Sequence, residues 1–280
     1  MTRACLIGCP VKHSLSPRLH SYWLRQYKLK GEYLLREVQS DDLEAILKSL
    51  SQDGFAGCNL TIPHKQKALE FMDDLSPRAS AISAINTVVV MKSGGLLGDN
   101  TDAFGYIKGL EHQIADYQNS VKSAAVLGAG GAAKAVIYAL LEDNIPEITI
   151  FNRTPENGRA IVDNFEKIKT DSHLTSANWN DLGARTAEFD LIVNTTPLGM
   201  TGQADLDIDL SACSKNTIIS DIVYNPRKTA LLKQAEKLGL HTAEGIHMLA
   251  YQGAAGFEYW FDQHPHVDDA LINHMYAGLS

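Results

Sequence analysis

The sequence has few cysteines and no long hydrophobic run. Its four cysteines, Cys5, Cys9, Cys58 and Cys213, form no Cys-x-x-Cys pair and have no histidine cluster nearby. This spacing is unlike a zinc site, so we expect no metal and free thiols in a reducing compartment. No apolar run approaches the ~18 residues that a membrane-spanning helix needs, and residues 4–8 are too short for a signal peptide. We therefore expect a soluble, cytoplasmic protein.

Positive charge is also in short supply. Lysine and arginine number 25 against 33 aspartates and glutamates, which gives a formal net charge of −8 at pH 7. A nucleic-acid partner is not expected, because phosphate binding needs a basic face. An anionic small substrate remains compatible with this balance, since one local lysine or arginine can dominate the potential of its own cleft.

The chain length indicates more than one hydrophobic core. With 280 residues, the sequence exceeds a typical single core and fits two modest domains. Hydrophobic residues make up 45% and charged residues 21%, a balance typical of folded globular proteins. Short apolar runs alternate with helical patterns and no segment repeats, so we predict an α/β architecture throughout.

Cap and turn signals place the first elements. We predict a helix over 17–29, with Ser16 as its N-cap and Pro17 at its first helical position. The glycines that follow residues 87–91 predict a hairpin around Gly94. The other predicted elements are strands 4–8, 33–38 and 55–60, helices 41–50 and 103–117, and a helical end from residue 247 onward.

Polar side chains follow several of these predicted strands. Thr61 and Lys65 come after strand 55–60, and Pro63 is suited to open a helix that carries Lys65. Other polar positions of this kind are Ser14, Ser16, Asn86 and the run 99–102. Taken singly, each is equally well explained as a cap, a turn residue or a solvated surface charge.

A dinucleotide-binding signal begins at residue 123. The apolar strand 123–127 is followed by Gly128-Ala129-Gly130-Gly131-Ala132 and by a predicted helix over 132–141. Glycines let the backbone turn sharply and approach a pyrophosphate, whose charge then lies at the positive N-terminus of the helix. A glycine-rich turn alone is weak support, but here the strand and the helix that the motif requires are both predicted.

The end of the next predicted strand, 147–151, indicates which cofactor binds. An NAD enzyme usually places Asp or Glu there, where the carboxylate accepts hydrogen bonds from the ribose 2′-hydroxyl. This chain has Arg153 between Asn152 and Thr154. A guanidinium can bind a 2′-phosphate in a bidentate way, so we predict NADP rather than NAD.

Together these segments resemble the shikimate dehydrogenase family. In the first half the resemblance rests on HSLSP (13–17), NLTIPHK (59–65), INT (85–87) and DNTDAFG (99–105). In the second half it rests on GAGGAAKA (128–135), NRT (152–154), NTTPLGM (194–200), DIVYNP (221–226) and EGIHMLAYQGAAGFEYW (244–260). The blocks follow the family's order and span nearly the whole chain.

The resemblance implies a reaction and a site. The implied reaction is hydride transfer between C3 of shikimate and NADP, which interconverts shikimate and 3-dehydroshikimate in chorismate and aromatic amino-acid biosynthesis. Lys65 and Asp102 are implied as the catalytic pair, with Lys65 taking the proton of the substrate hydroxyl. The implied substrate contacts are Ser14, Ser16, Thr61, Asn86, Asp102, Tyr224 and Gln252. The implied cofactor contacts are Gly128, Ala129, Gly130, Gly131, Ala132, Asn152, Arg153, Thr154, Ile222 and Gly245.

We accordingly predict two α/β domains with the active cleft between them. Residues 1–104 plus 246–280 are predicted to form a mixed α/β substrate domain, and residues 105–245 a Rossmann-type NADP-binding domain. The predicted partners are shikimate and NADP, while a monomer and a homodimer are both left open.

Two other functions fit the same blocks. One is a quinate/shikimate dehydrogenase that uses NAD, because the room for quinate's extra hydroxyl near Ser14 and Ser16 cannot be judged from sequence. Glu156, close to Arg153, is also expected to weaken the preference for a 2′-phosphate. The other is a non-catalytic NADP-binding sensor on the same fold, which would have no need for both Lys65 and Asp102.

Overall fold

Two six-stranded sheets organise the chain. The computed structural model describes residues 1–168 and 170–279. These residues divide into two compact units, one made of Met1–Gly105 with Leu249–Gly278 and the other of Tyr106–Met248. Lys169 and Ser280, which belong to the predicted NADP-binding and substrate domains, lie outside the described residues.

The secondary-structure elements are numbered along the chain. The strands are β1 (Thr2–Gly8), β2 (Gly31–Glu37), β3 (Phe55–Leu60), β4 (Asp74–Leu75), β5 (Thr87–Val90), β6 (Leu96–Asp99), β7 (Ser123–Leu127), β8 (Glu147–Asn152), β9 (His173–Asn178), β10 (Leu191–Asn194), β11 (Ile218–Asp221) and β12 (His241–Glu244). The helices are α1 (Ser16–Gln26), α2 (Leu43–Ser49), α3 (Pro77–Ile82), α4 (Thr101–Gln113), α5 (Tyr117–Ser120), α6 (Gly131–Glu142), α7 (Pro155–Phe165), α8 (Leu182–Arg185), α9 (Ala230–Leu238), α10 (Gly245–Phe261) and α11 (Asp269–Tyr276). Short 3₁₀ helices span Lys67–Phe71, Trp179–Asp181 and Thr186–Glu188.

The first unit is built on a mixed sheet, as predicted. Its strand order is β2-β1-β3-β5-β6-β4, in which β1 runs parallel to both neighbours while β5 is antiparallel to β3 and β6. Residues Ala4–Ile7 of β1 are all buried, because this strand lies inside the sheet and is covered on both faces. On one face it packs with Leu43 and Leu47, whose four-residue spacing puts both on the buried side of α2.

The second unit is a doubly wound parallel sheet, the predicted Rossmann-type arrangement. Its strand order is β12-β11-β10-β7-β8-β9, and every pair of neighbours is parallel. The chain enters at β7, adds β8 and β9 on one side, and then crosses to build β10, β11 and β12 on the other. The order therefore reverses between β7 and β10, and sheets of this kind bind ligands at the carboxyl ends of the strands beside such a reversal.

Several local predictions are confirmed. Strands 55–60 and 123–127 have the predicted bounds, and the hairpin joins β5 to β6. Its turn is closed by Met91 N, which donates to Gly95 O at 2.8 Å, and Gly94 adopts a positive φ of 89°. Residues from 247 to 279 contain helices and no strand, again as predicted.

The start and the end of α1 differ from the prediction. Ser16 is the first helical residue rather than the cap, and Pro17 is the second. Leu15 is at the N-cap position and has no side-chain cap, while Ser14, one residue earlier, accepts from Ser16 N through its Oγ at 3.1 Å. The helix stops at Gln26 because Lys28 adopts a positive φ of 54°, a left-handed conformation that cannot continue a right-handed helix.

Two more helix predictions need correction. The helix predicted over 103–117 is α4 followed by the separate α5, because Asp116 between them has a positive φ of 55°. The helix predicted over 41–50 is shorter, begins after Asp42, and has no capping hydrogen bond from a side chain.

Helix α10 and the segment that follows it complete the aromatic core of the first unit. Trp260 on α10 donates from Nε1 to Val88 O at 3.0 Å, and Trp23 donates from Nε1 to His266 O at 3.0 Å. Both indoles are buried. Each therefore combines a large apolar contact with a satisfied N–H, the arrangement that makes buried tryptophan favourable. Across residues 1–168 and 170–279, no helix is long and apolar enough to cross a membrane.

Candidate active site

Lys65 and Asp102 form an ion pair in the first unit. Lys65 Nζ lies 2.6 Å from Asp102 Oδ2, and the aspartate side chain is almost fully buried. The predicted helix around Lys65 is wrong. Lys65 instead follows a turn in which His64 N donates to Thr61 O at 2.9 Å and the Ile62–Pro63 peptide bond is cis. The turn brings the lysine back toward the start of β5, where Ile85 N donates to Lys65 O at 2.8 Å.

Asp102 is held by the first turn of α4. Asn100, just before the helix, accepts from Asp102 N at 3.1 Å through its side-chain Oδ1 and donates from Nδ2 to Ala84 O at 2.9 Å. The preference of asparagine for the N-cap explains why the helix begins here. A carboxylate in the first turn also interacts favourably with the positive end of the helix.

Asn86 connects Asp102 to α10. Its Nδ2 donates to Asp102 Oδ1 at 2.8 Å and to Gln252 Oε1 at 3.2 Å. Its Oδ1 accepts from Thr101 N at 2.7 Å, which fixes the orientation of the amide. Both oxygens of Asp102 are thus engaged, one by Lys65 and one by Asn86. The structure brings together four of the sequence-predicted residues: Lys65, Asn86, Asp102 and Gln252.

Asp99 is a second buried carboxylate, and it lies just before the first turn of α4. Asp99, the residue before Asn100, accepts from Asn100 N at 2.7 Å and from Ser76 Oγ at 2.5 Å. Arg78 donates to both of its oxygens, and Tyr259 OH donates to Oδ2 at 3.0 Å. Burial by itself raises the pKa of Asp99, but the hydrogen bonds and charge of Arg78 outweigh it, and the pKa of this carboxyl is lowered.

The two predicted serines contact each other, and a separate set of hydrogen bonds joins β2 to Asn86. Ser14 Oγ donates to Ser16 Oγ at 3.1 Å. Tyr33 OH donates to Asn59 Oδ1 at 2.7 Å, and Asn59 Nδ2 donates to Asn86 O at 3.1 Å. Hydrogen bonds therefore connect Tyr33 through Asn59 and Asn86 to Asp102.

Thr61 follows β3 and lies against the turn after β1. A Cβ at Gly8 would come within 2.2 Å of Thr61 Cγ2 and 3.1 Å of Ile62 O. Only glycine allows these two turns to approach so closely. Beside them, Cys9 N donates to Ile62 O at 3.0 Å. Tyr224, the remaining predicted substrate residue, belongs instead to the second unit, where burial raises its pKa.

In the second unit, the turn after β7 has the predicted form. Gly128 has a positive φ of 111°, which favours glycine. A Cβ at Gly130 or Gly131 would meet no atom within 4 Å, so the backbone there is open to a ligand. Ala129 and Ala132 are half-buried beside it. The first turn of α6 carries no acidic side chain. These residues fit a pyrophosphate, since free N–H groups at a helix N-terminus bind anions.

Arg153 follows β8 and is exposed. Within the described ranges it forms no ion pair, and its neighbour Asn152 donates from Nδ2 to Thr154 O at 2.8 Å. Glu156, expected to oppose a 2′-phosphate, instead accepts from Arg159 at 2.6 Å. The guanidinium of Arg153 therefore remains available for an anion. The hydrogen-bond donors at the end of β8, the side chains of Asn152 and Arg153, fit a phosphorylated ribose.

Ile222 and Gly245 meet at the other side of the same sheet. A Cβ at Gly245 would come within 2.3 Å of Ile222 O, so the two predicted cofactor residues are in direct backbone contact. The NTTPLGM segment after β10 forms a tight turn, in which Met200 N donates to Pro197 O at 3.1 Å and Gly199 has a φ of 86°. Its Thr195 also lies beside Gly128, since a Cβ there would be 3.0 Å from Thr195 Oγ1.

Comparison with known proteins identifies the family. Residues 6–88 match the shikimate dehydrogenase substrate binding domain, residues 110–233 match shikimate / quinate 5-dehydrogenase, and residues 245–269 match the shikimate 5′-dehydrogenase C-terminal domain. A shikimate dehydrogenase (NADP⁺) of Rhodospirillum rubrum is 44% identical over 268 residues, which cover 96% of this chain and 94% of the relative. The chain belongs to the shikimate dehydrogenase family.

Solved structures of shikimate dehydrogenase relatives have the same fold. The enzyme from Thermus thermophilus, in complex with NADP(H) and shikimate, is 33% identical with a TM-score of 0.85, covering 100% of this chain and 98% of that one. A quinate dehydrogenase from Corynebacterium glutamicum, in complex with NAD, is 27% identical with a TM-score of 0.89, covering 99% of this chain and 98% of that one.

Two polar residues of this shikimate dehydrogenase family member are not predicted as site residues from its sequence. Asn59 is the first residue of the NLTIPHK block, but a position last but one in an apolar strand does not tell what its side chain contacts. Tyr33 lies in a strand with no polar motif at all. Burial raises the pKa of Tyr33 well above its ordinary value, so its hydroxyl remains a donor to Asn59.

Proposed function

We propose that this protein interconverts shikimate and 3-dehydroshikimate with NADP as cofactor, by hydride transfer at C3. The observation that carries the proposal is the Lys65–Asp102 pair at 2.6 Å, joined by hydrogen bonds to Asn86 and, through Asn86, to Gln252. The family relationship supports it, because curated relatives at 40–44% identity are NADP⁺-dependent shikimate dehydrogenases. This reaction is a step of chorismate and aromatic amino-acid biosynthesis.

Lys65 is the group that exchanges a proton with the substrate. Oxidation of a secondary alcohol needs a base for the hydroxyl proton, and the neutral amine form of Lys65 takes it to become the ammonium; in the reverse direction the ammonium returns the proton to the carbonyl oxygen. Asp102 keeps Nζ in place by accepting from it. Asn86 keeps Asp102 in place in turn, so the aspartate cannot rotate away from the lysine. Positioned acid–base catalysis of this kind is typically worth about 10²–10⁴ in rate.

The remaining polar side chains bind the substrate. Shikimate is a carboxylate with three ring hydroxyls, and neutral hydroxyl and amide groups can donate to or accept from each of these. Ser14 and Ser16 take the carboxylate near the positive end of α1. The other proposed substrate contacts are Thr61, Asn86, Asp102, Tyr224 and Gln252.

NADP, when bound, supplies the hydride acceptor. The residues proposed to hold its pyrophosphate are Gly128, Ala129, Gly130, Gly131 and Ala132. Those proposed for the 2′-phosphate are Asn152, Arg153 and Thr154, and those proposed beside the nicotinamide are Ile222 and Gly245. This assignment is supported by the open backbone of the glycine turn and by the exposed Arg153, which forms no ion pair with any residue that the structure describes.

We also propose that one part of the chain binds the substrate and another part binds NADP. Residues 1–104 plus 246–280 form the substrate domain and residues 105–245 the NADP-binding domain. The division of the described residues into units that change near residues 105 and 248 supports these limits. So does the match of residues 6–88 to the family's substrate binding domain.

Four assays of the purified protein test the proposal: shikimate or quinate, each with NADP⁺ or NAD⁺, followed by the absorbance of the reduced nicotinamide. We expect rapid reduction with shikimate and NADP⁺, a fall of about 10³-fold in kcat for Lys65→Ala, and unchanged NADPH binding by that variant. Lys67→Ala is the matched control, because Lys67 lies two residues away and donates to Ser40 O instead.

The other outcomes select the alternatives. Turnover mainly with quinate and NAD⁺ would make the protein a quinate dehydrogenase, as the C. glutamicum relative is named. No turnover in any assay, with NADPH still bound, would leave a non-catalytic NADP sensor. A Lys65→Ala variant as active as Lys67→Ala would remove Lys65 from the mechanism.

A further inference from the structure

Asp221 is a fully buried carboxylate at the carboxyl end of β11. Its Oδ1 accepts from Asn194 Nδ2 at 2.9 Å and from Val223 N at 3.0 Å, and its Oδ2 accepts from Thr229 Oγ1 at 2.7 Å. All three donors are neutral. Within residues 1–168 and 170–279, no lysine, arginine or histidine forms an ion pair with it, so its negative charge has no local counter-charge.

The neighbouring charges are already paired with one another. Glu244, opposite Asp221 in the register of β11 and β12, lies 2.7 Å from Lys228 Nζ and 3.2 Å from Arg227 Nε. Burial raises the pKa of Asp221 to about 6, against the lowering effect of its three hydrogen bonds. At pH 8 the carboxyl is therefore ionised, and no cation of the described residues pairs with it.

The topology places that charge under one half of a bound dinucleotide. The pyrophosphate site is the turn between β7 and α6, and Arg153 at the end of β8 directs the phosphorylated ribose to that side of the strand-order reversal. The other half of the dinucleotide must then extend over the carboxyl ends of β10 and β11. Asn194 and Asp221 are the last residues of those two strands.

We propose that Asp221 tunes the site toward the oxidised cofactor. An oxidised nicotinamide ring carries a positive charge and a reduced ring carries none, while the phosphates are the same in both forms. A buried negative charge near the ring therefore favours NADP⁺ over NADPH, because Coulomb attraction in a protein interior is weakly screened. This inference rests on the proposed binding of NADP but not on turnover of shikimate.

The test compares two dissociation constants. NADP⁺ and NADPH are titrated separately into the full-length protein at pH 8, and the ratio of Kd for NADP⁺ to Kd for NADPH is measured. We expect Asp221→Asn, which is nearly isosteric but neutral, to raise this ratio about tenfold, the size expected for unit charges about 10 Å apart at an intermediate dielectric. Asp221→Ser is a second neutral variant, whose hydroxyl can still accept from Val223 N.

Asp190→Asn is the matched control. Among the described residues Asp190 also accepts from neutral donors, Lys122 N at 2.8 Å, Ser123 N at 3.0 Å and Ser123 Oγ at 3.0 Å, but it is half-buried and precedes β10 at the opposite end of the same sheet. Its replacement removes the same charge from the same unit, and we expect the ratio to change by less than about twofold, because the distance to the ring is larger.

The outcomes distinguish an effect of the charge of Asp221 from an effect of its hydrogen bonds on the local structure. Equal weakening of both cofactors in the folded Asp221 variants would mean that Asp221 only holds its loops, and would overturn the inference. An equal change in the Asp190 variant would attribute the effect to net charge and also overturn it. If the wild-type protein bound neither cofactor, the proposed function itself would fail, which is a different result from an unchanged ratio.

Discussion

Gly245 lies so close to Ile222 that no side chain fits between them. A Cβ at position 245 would stand 2.3 Å from Ile222 O and 2.7 Å from Asp221 O, and both atoms belong to backbone that cannot rotate away. The close contact sets the path of the loop after β11 relative to the first turn of α10. Because Ile222 is proposed to lie beside the nicotinamide, packing and cofactor binding depend on the same glycine.

Gly245→Ala should therefore weaken both stability and cofactor binding. We expect the free energy of unfolding to fall by about 1–3 kcal/mol, as for other overpacked sites. We also expect NADPH to bind about fivefold more weakly, measured by titration. Gly183→Ala is the control in the same unit, because a Cβ at that helical position meets no atom within 4 Å. It should be neutral or stabilising by up to about 1 kcal/mol. Equal behaviour of the two variants would contradict the steric argument.

Arg153 should determine the preference for NADP over NAD. We expect Arg153→Ala to raise KM for NADP⁺ about 10–100-fold, the loss expected for charge-assisted hydrogen bonds, and to leave KM for NAD⁺ nearly unchanged. Arg159→Ala is the control, because Arg159 lies on α7 just after Arg153 but already pairs with Glu156 at 2.6 Å. This variant should change neither KM for NADP⁺ nor KM for NAD⁺. A parallel loss with both cofactors would show that Arg153 does not recognise the 2′-phosphate.

The Arg78–Asp99 pair should be a large contributor to the stability of the first unit. Arg78→Ala leaves the buried carboxylate of Asp99 without its cation, which typically costs about 3 kcal/mol. Lys48→Ala breaks an exposed pair with Glu44 in the same unit and should change stability by less than about 0.5 kcal/mol. Denaturant unfolding of the wild type, Arg78→Ala and Lys48→Ala measures how far each substitution lowers the free energy of unfolding. A cost for Arg78→Ala as small as the control would mean that water replaces the guanidinium.

Sequence signals predict this fold well wherever they are local. The strand 123–127 and its glycine turn can be predicted directly from the sequence, because the strand, the turn and the helix are contiguous. Lys65 and Asp102 are 37 positions apart, so their pairing follows from family resemblance and not from spacing. The helix predicted to carry Lys65 fails for a related reason. A proline after Thr61 is compatible with a helix start or a turn, and contacts with distant residue Ile85 decide between them.

The roles of Tyr33 and Asn59 could not be predicted for the same physical reason. Their hydrogen bond spans 26 positions and depends on the order of strands in the sheet, in which β1 separates β2 from β3. Periodicity tells which face of a strand is buried but not which strands become neighbours. From the sequence alone, a tyrosine on a half-buried strand is therefore interpreted as a core residue, and only the order of the strands shows its polar partner.

His20 should make the first unit sensitive to acid. The imidazole is completely buried, stacks on Tyr33 with 3.9 Å between ring centroids, and has no partner for either ring nitrogen among the described residues. Burial lowers its pKa from 6.5 to about 3. The folded protein keeps the ring neutral, whereas the unfolded chain binds a proton below pH 6.5. His20 thus contributes stability that is present above pH 6.5 and lost as the pH falls toward 3.

From about pH 6.5 to 5 this single group should remove about 2 kcal/mol from the free energy of unfolding, at about 1.4 kcal/mol per pH unit. His20→Phe keeps an aromatic ring among aromatic neighbours but cannot bind a proton, so its stability should fall less over the same range. The exposed His173, changed to Gln, should retain the wild-type dependence. Denaturant unfolding at several pH values between about 5 and 8 gives all three curves. Parallel curves for wild type and His20→Phe would mean that the folded protein protonates the buried ring as readily as the unfolded chain does, because only a difference in proton binding between the two states couples this histidine to stability.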